Sequence, residues 1–103
     1  MIHVLALIET TPGHRADFLA EFAQVAIPVR AESGCIEYGA AVDAETDLAA
    51  QQQLGENFVL IIEKWDSLTH LKAHLVAPHM IDYRVRIKTF VQSVRLQVLD
   101  PKV

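Results

Sequence analysis

The chain has 103 residues, of which 51% are hydrophobic, and a formal net charge of −4. A length of this order accommodates one hydrophobic core, so we expect a single domain over residues 1–103. The acidic balance argues against nucleic acid and membrane surfaces as partners, because both attract basic proteins. The apolar start of the chain lacks the features of a signal peptide, and its one cysteine cannot form an internal disulfide, so we expect a cytoplasmic protein.

The first half of the sequence predicts a strand, a helix and a second strand. Residues 2–9 are apolar at nearly every position, which is typical of a central strand covered on both faces. Over residues 14–32 apolar side chains recur every three or four positions, and a glycine follows, which predicts a helix with a left-handed cap. Residues 35–42 predict the second strand. Side chains at alternate positions should share one of its faces, namely Ile36, Tyr38 and Ala40.

The second half predicts a long connection, a third strand, an interrupted helix and a last strand. Residues 43–56 are polar and rich in glutamine, as expected of a hairpin connection. Residues 58–65 are mostly apolar and predict the third strand. The second helix should be interrupted by Pro78 and continue over 79–88, before a strand over 89–99. The predicted buried stripe of this helix is Leu68, Leu71 and Leu75.

The resulting order of elements is β-α-β-β-α-β. This order predicts an α+β ferredoxin-like sandwich of the dimeric α/β barrel type, in which an antiparallel sheet carries its helices on one face. Strands that are apolar on both sides leave the other face of the sheet in need of a cover. We therefore expect a homodimer that associates through this open face.

Glu63 and His74 are the strongest candidates for chemistry. Glu63 shares a strand face with apolar neighbours, so it either reaches water at the margin of the sheet or orients a nearby histidine. His74 should lie at the edge of the buried helix stripe, where an imidazole can stay neutral near pH 7 and accept a proton. The alternative for His74 is a packed histidine that is hydrogen-bonded to the backbone.

The side chains expected near these two residues suit a pocket for a flat aromatic ligand. Trp65 would either stack against such a ligand or anchor the core. The other candidates for contact with the ligand are Phe22, Tyr38, Val59, Leu71 and His79. His70 and His74 lie four residues apart and could bind a metal together, but no cysteine pair or HExxH motif supplies further ligands, so we predict no metal site.

Four short motifs follow one another along the chain. They are Pro-Gly, Gly-Cys-x-x-Tyr, Glu-x-Trp and His-x-x-x-Pro-His, and they lie within residues 4–13, 32–38, 62–67 and 73–80. In order and spacing they resemble the antibiotic biosynthesis monooxygenase (ABM) superfamily, and the chain is most similar to its bacterial quinol monooxygenases. Members from antibiotic pathways use an asparagine and a tryptophan around the pocket strand, which the resemblance places loosely at Asn57 and Trp65.

The resemblance implies a homodimer that oxygenates quinols or polyphenols with molecular oxygen and needs no cofactor. In this interpretation His74, oriented by Glu63, takes the proton of a substrate hydroxyl. The superfamily also contains haem-degrading enzymes, but Arg84 stands where the resemblance would require their histidine ligand. Two alternatives stay open, namely a non-catalytic small-molecule-binding or stress-related dimer, and an isomerase of a small hydroxycarbonyl signal compound.

Overall fold

A computed structural model describes residues 1–103. Its elements are β1 (Ile2–Thr10), α1 (Arg15–Arg30), β2 (Cys35–Ala41), β3 (Phe58–Trp65), α2 (Leu68–Leu75), α3 (Pro78–Ile87) and β4 (Val91–Leu99). A short 3-10 turn, Lys88–Phe90, joins α3 to β4. The strands form one antiparallel sheet in the order β2-β3-β1-β4. The predicted ferredoxin-like fold is confirmed, with the second helix divided at Pro78 into α2 and α3.

The core lies between the helices and one face of the sheet. Along β3 the buried positions alternate with half-buried ones, because neighbouring side chains of a strand point to opposite faces. The predicted apolar stripe of α1 packs against the sheet, and Leu19 is partly buried beside it. The buried residues of this helix are Phe18, Phe22, Val25, Ala26 and Val29.

A bulge near the start of β2 changes which of its side chains face the core. The pairing of β2 with β3 shifts register between Cys35 and Glu37. Such a bulge adds one residue to a strand and breaks the alternation of its side chains. Tyr38 is consequently 3% exposed while Ile36 is 49% exposed. The prediction that Ile36 and Tyr38 lie on the same face is therefore wrong.

The rotation of α2 also differs from the prediction. Leu71 is buried as expected, but Leu68 and Leu75 are 46% and 37% exposed, so two of the three predicted stripe residues face outward. The second buried residue of α2 is His74, which is 1% exposed rather than half-buried at the edge. Because His74 follows Leu71 by three residues, both side chains lie on the same side of the helix.

The other face of the sheet carries apolar side chains that no helix covers. A cavity of about 470 Å³ on this face is lined by leucines of β1 and β3, including Leu5, Leu7 and Leu60. The edge strand β4 is exposed along nearly its whole length, since the helices do not reach it. None of the helices combines the length and the apolar character needed to cross a membrane.

Candidate functional site

His74 is the centre of a buried polar cluster. Its Nδ1 atom lies 2.8 Å from Oε2 of Glu32, and its Nε2 atom lies 3.9 Å from Oε1 of Glu63. The imidazole also contacts the indole of Trp65, with 4.6 Å between the ring centroids. Since a carboxylate only accepts hydrogen bonds, Nδ1 of His74 donates to Glu32, and a neutral imidazole then has a free lone pair on Nε2.

Glu63 and Trp65 form one unit at the end of β3. They are two residues apart and therefore point to the same face, where the indole Nε1–H donates to Oε1 of Glu63 over 2.9 Å. Burial raises the pKa of Glu63 above its ordinary value, while the bond from Trp65 and the nearby His74 act in the opposite direction. Glu63 is thus a buried carboxyl group that keeps its proton to higher pH than an exposed glutamate does.

Glu32 is a member of the cluster that the sequence did not reveal as one. It lies in the turn between α1 and β2, where its own N–H donates to the carbonyl of Val29 and its carbonyl accepts from the N–H of Cys35. Its Oε2 atom accepts from both His74 Nδ1 and His79 Nε2, at 2.8 Å each. The turn backbone therefore holds one carboxylate oxygen between two imidazoles.

His79 connects this cluster with the surface. It is the second residue of α3, directly after Pro78, and its side chain is 29% exposed, compared with 2% for His74. Proline is favoured in the first turn of a helix, so Pro78 starts α3 at the point where His79 reaches Glu32. The polar cluster thus extends from a fully buried imidazole to a partly solvated one.

Aromatic rings border the cluster on the side of α1. Tyr38 meets His74 edge-on at 5.4 Å between centroids, and Phe22 stacks on Tyr38 at 5.0 Å. Burial raises the pKa of Tyr38 far above its ordinary value, and the charge of Glu63 adds to this effect. The phenol of Tyr38 therefore stays protonated well above the pH at which an exposed tyrosine ionises. Leu71, one turn before His74, is buried on the same side of α2.

Two predicted contact residues lie away from this cluster. Val59 is fully buried, but it precedes Trp65 by six residues, which corresponds to roughly 20 Å along a strand. Asn57 lies beyond the start of β3, where its carbonyl accepts hydrogen bonds from the backbone and side chain of Thr10. The structure brings together His74, Glu63, Trp65, Tyr38 and His79, with Phe22 and Leu71 beside them.

The cluster is closed in this conformation. The three principal surface cavities are not lined by His74, Glu63 or Trp65. The first of these cavities is lined by Tyr38, at the side of the cluster that faces β2. Chemically, the cluster offers a proton acceptor at Nε2 of His74, a carboxyl group beside it, and an apolar aromatic wall.

Comparison with known proteins identifies the family. The sequence pattern of the family described as "Antibiotic biosynthesis monooxygenase" matches residues 1–86. The chain is also 37% identical over 103 residues to the protein named "Probable quinol monooxygenase YgiN" of Escherichia coli K12, a match that covers 98% of each chain. The chain therefore belongs to the antibiotic biosynthesis monooxygenase family, and the resemblance inferred from its motifs is confirmed.

Solved structures support the same fold. Rv0793 from Mycobacterium tuberculosis is 25% identical and superposes with a TM-score of 0.78, over 97% of this chain and 93% of that one. PA3566 from Pseudomonas aeruginosa is 22% identical and superposes with a TM-score of 0.81, over 99% and 94% of the two chains. Membership of this family and its curated relative make the chain a monooxygenase-type enzyme.

Proposed function

We propose that this protein oxidises a quinol or a related polyphenol with molecular oxygen, without a metal or prosthetic group, and that His74 is the base. The observation that carries the proposal is the position of His74, buried against Trp65 and tied at Nδ1 to Glu32. The relative named as a probable quinol monooxygenase supports the choice of substrate class. Deprotonation makes an aromatic ring a stronger electron donor, so the substrate itself can reduce oxygen.

The spacing of His74 and Glu63 suits a substrate hydroxyl. Nε2 of His74 and Oε1 of Glu63 are 3.9 Å apart, too far for a direct hydrogen bond. An oxygen atom beside this gap can lie about 2.8 Å from both atoms, which is an ordinary hydrogen-bond length. The hydroxyl would then give its proton to Nε2, while Glu32 holds Nδ1–H in place.

The reaction balances without an added reductant. All four electrons come from the quinol, which ends as a hydroxyquinone; one oxygen atom enters the ring and the other leaves as water. In this scheme oxygen first accepts one electron from the ionised ring, and the radical pair combines to a hydroperoxide that loses water. The proton taken by His74 returns to the departing oxygen. The protein contributes desolvation and the placement of this proton, and the buried aromatic wall excludes water.

Access to the site requires motion of α2. This helix has eight residues, and only Leu71 and His74 are buried. An element with so few buried side chains opens at lower free energy than the core strands. We therefore expect α2 to move away from the sheet when a substrate enters.

We also propose a homodimer that buries the open face of the sheet. The support is the row of uncovered leucines on β1 and β3, namely Leu5, Leu7 and Leu60. Light scattering after size exclusion at micromolar concentration should give twice the chain mass, and a stable monomer would refute the dimer.

Oxygen uptake tests the function directly. Purified protein should consume oxygen with menadiol or a simple catechol, and product formation should stop under anaerobic conditions. The variant His74→Ala should lower kcat by roughly 10²–10⁴-fold if His74 is the base. His14→Ala is the matched control, because His14 pairs with Asp17 at the surface and lies outside the site.

The possible outcomes separate the alternatives. Full activity of a folded His74→Ala enzyme would remove His74 from the mechanism. Binding without oxygen uptake would favour a small-molecule-binding dimer, and turnover without oxygen would favour an isomerase. His74→Asn serves as a second variant, since it keeps a polar side chain on α2 if the alanine variant proves unstable.

A further inference from the structure

Tyr83 carries a buried hydroxyl without a hydrogen-bond partner. The residue is 4% exposed, and its hydroxyl is the one buried side-chain nitrogen or oxygen atom that lacks a partner. Buried polar groups are almost always paired, and an unpaired one destabilises the folded state. A phenylalanine would fill the same space without this cost, so the hydroxyl calls for an explanation.

The hydroxyl belongs to the same interior as the His74 cluster. Tyr83 extends from α3 and packs against Phe18 of α1, with 6.4 Å between the ring centroids. Phe18 contacts Phe22, and Phe22 stacks on Tyr38, which meets the imidazole of His74. A continuous row of rings therefore joins Tyr83 to the proposed base.

Electrostatics supports this placement. Burial raises the pKa of Tyr83 above its ordinary value, and the negative charges of Glu21 and Glu63 raise it further. The positive charge of Arg86 acts in the opposite direction. Tyr83 also contributes to the raised pKa of Tyr38, because an ionised Tyr83 would disfavour a second negative charge on Tyr38. Its hydroxyl thus lies within electrostatic range of Glu63 and Tyr38, and it stays protonated, as a hydrogen-bond donor, well above the pH at which an exposed tyrosine ionises.

We infer that the Tyr83 hydroxyl donates a hydrogen bond to the second oxygen of a dihydroxylated aromatic ligand, whose first oxygen binds between His74 and Glu63. A monophenol would leave this donor unpaired, so the contact would select quinols over monophenols. The inference rests on the proposed function for the class of substrate, but not on the oxygen chemistry. Tyr83 would then be a specificity-determining residue on α3.

Anaerobic binding separates the hydroxyl contact from catalysis. Menadiol has two ring oxygens and 2-methyl-1-naphthol has one, on the same carbon skeleton. We expect wild-type protein to bind menadiol about 2–10-fold more tightly than the monophenol, as one neutral hydrogen bond allows. Tyr83→Phe should abolish this preference by weakening menadiol binding alone. Its unfolding temperature should not fall, because the variant removes an unpaired polar atom.

Arg86→Gln is the control variant. It breaks the ion pair of Arg86 with Glu21 near Tyr83 but keeps the phenol, so the preference for menadiol should persist. Equal weakening of both ligands by Tyr83→Phe, or no change for either, would overturn the inference. Wild-type protein that binds neither ligand would refute the substrate class as well. Binding with the expected preference but without oxygen uptake would refute the oxygenase and leave the Tyr83 contact standing.

Discussion

Replacing Glu32, in the turn after α1, by alanine should destabilise the protein more than removing the carboxylate of an exposed ion pair does. The change removes the acceptor of two hydrogen bonds of 2.8 Å. His74 is 1% exposed and cannot reach water, so its orphaned N–H costs about 1–3 kcal/mol. The side chain of His79 is 29% exposed and loses only about 0.5–1 kcal/mol, because water replaces the carboxylate. We expect a total of about 1.5–4 kcal/mol, or roughly 6–30 °C in Tm for a domain of this size.

Urea unfolding followed by the fluorescence of Trp65 measures this loss. All variants are compared at one protein concentration, since a dimer makes stability concentration-dependent. Glu32→Gln keeps an acceptor oxygen without the charge and should lose about 1 kcal/mol. Glu37→Ala is the control, because its 3.4 Å pair with Lys64 is half-exposed and contributes about 0–0.5 kcal/mol. If Glu32→Ala is no less stable than Glu37→Ala, the bridging role assigned to Glu32 is wrong.

Two further predictions concern the turns around the site. In urea unfolding, Gly34→Ala should lower the free energy of unfolding by at least about 1 kcal/mol more than Gly13→Ala does. Both glycines have φ near +80°, but only at Gly34 would a Cβ lie 2.3 Å from the His70 ring. Equal losses in the two variants would exclude this clash. The N–H of Gly55 donates to Asp43 and lowers the pKa of this carboxyl below its ordinary value of 3.8. The stabilising contribution of Asp43 is therefore complete above pH 3.8, the unfolded value, and is lost as the pH falls through the lower pKa of the folded state. The Gly55 amide resonance should accordingly titrate below pH 3.8 in NMR spectra, and a midpoint above 3.8 would contradict the bond.

The fold could be predicted from the sequence because its signals are local. Apolar periodicity and turn residues mark each element, and the order of the elements restricts the sheet to few topologies. The errors arose where tertiary contacts override a local pattern. The bulge next to Ile36 has no signal in the alternation of β2, and the rotation of α2 favours the buried imidazole of His74 over two leucines that the helical pattern places inward.

The candidate site was only partly predictable for a related reason. Glu63, Trp65 and His74 lie close together in sequence, and their polarity within apolar segments draws attention. Glu32 is 42 residues from His74, with β2 and β3 between them, so no spacing rule connects the two residues. The position of Glu32 two residues before Gly34, where the Gly-Cys-x-x-Tyr motif begins, was the available signal. The lack of a hydrogen-bond partner for the Tyr83 hydroxyl likewise results from the packing of the core, which the sequence does not reveal.

The buried polar cluster is difficult to explain as a device for stability. Glu63 and His74 both lose their hydration, and well-packed apolar residues of the same volume often stabilise a core more than a buried ionisable pair does. The hydroxyl of Tyr83 adds a further unpaired group. Natural sequences break the rules of core packing mainly where function requires it. That Glu63 and His74 bear these costs side by side, in a member of a monooxygenase family, is the physical reason for proposing His74 as the base, in preference to a site on the apolar open face of the sheet.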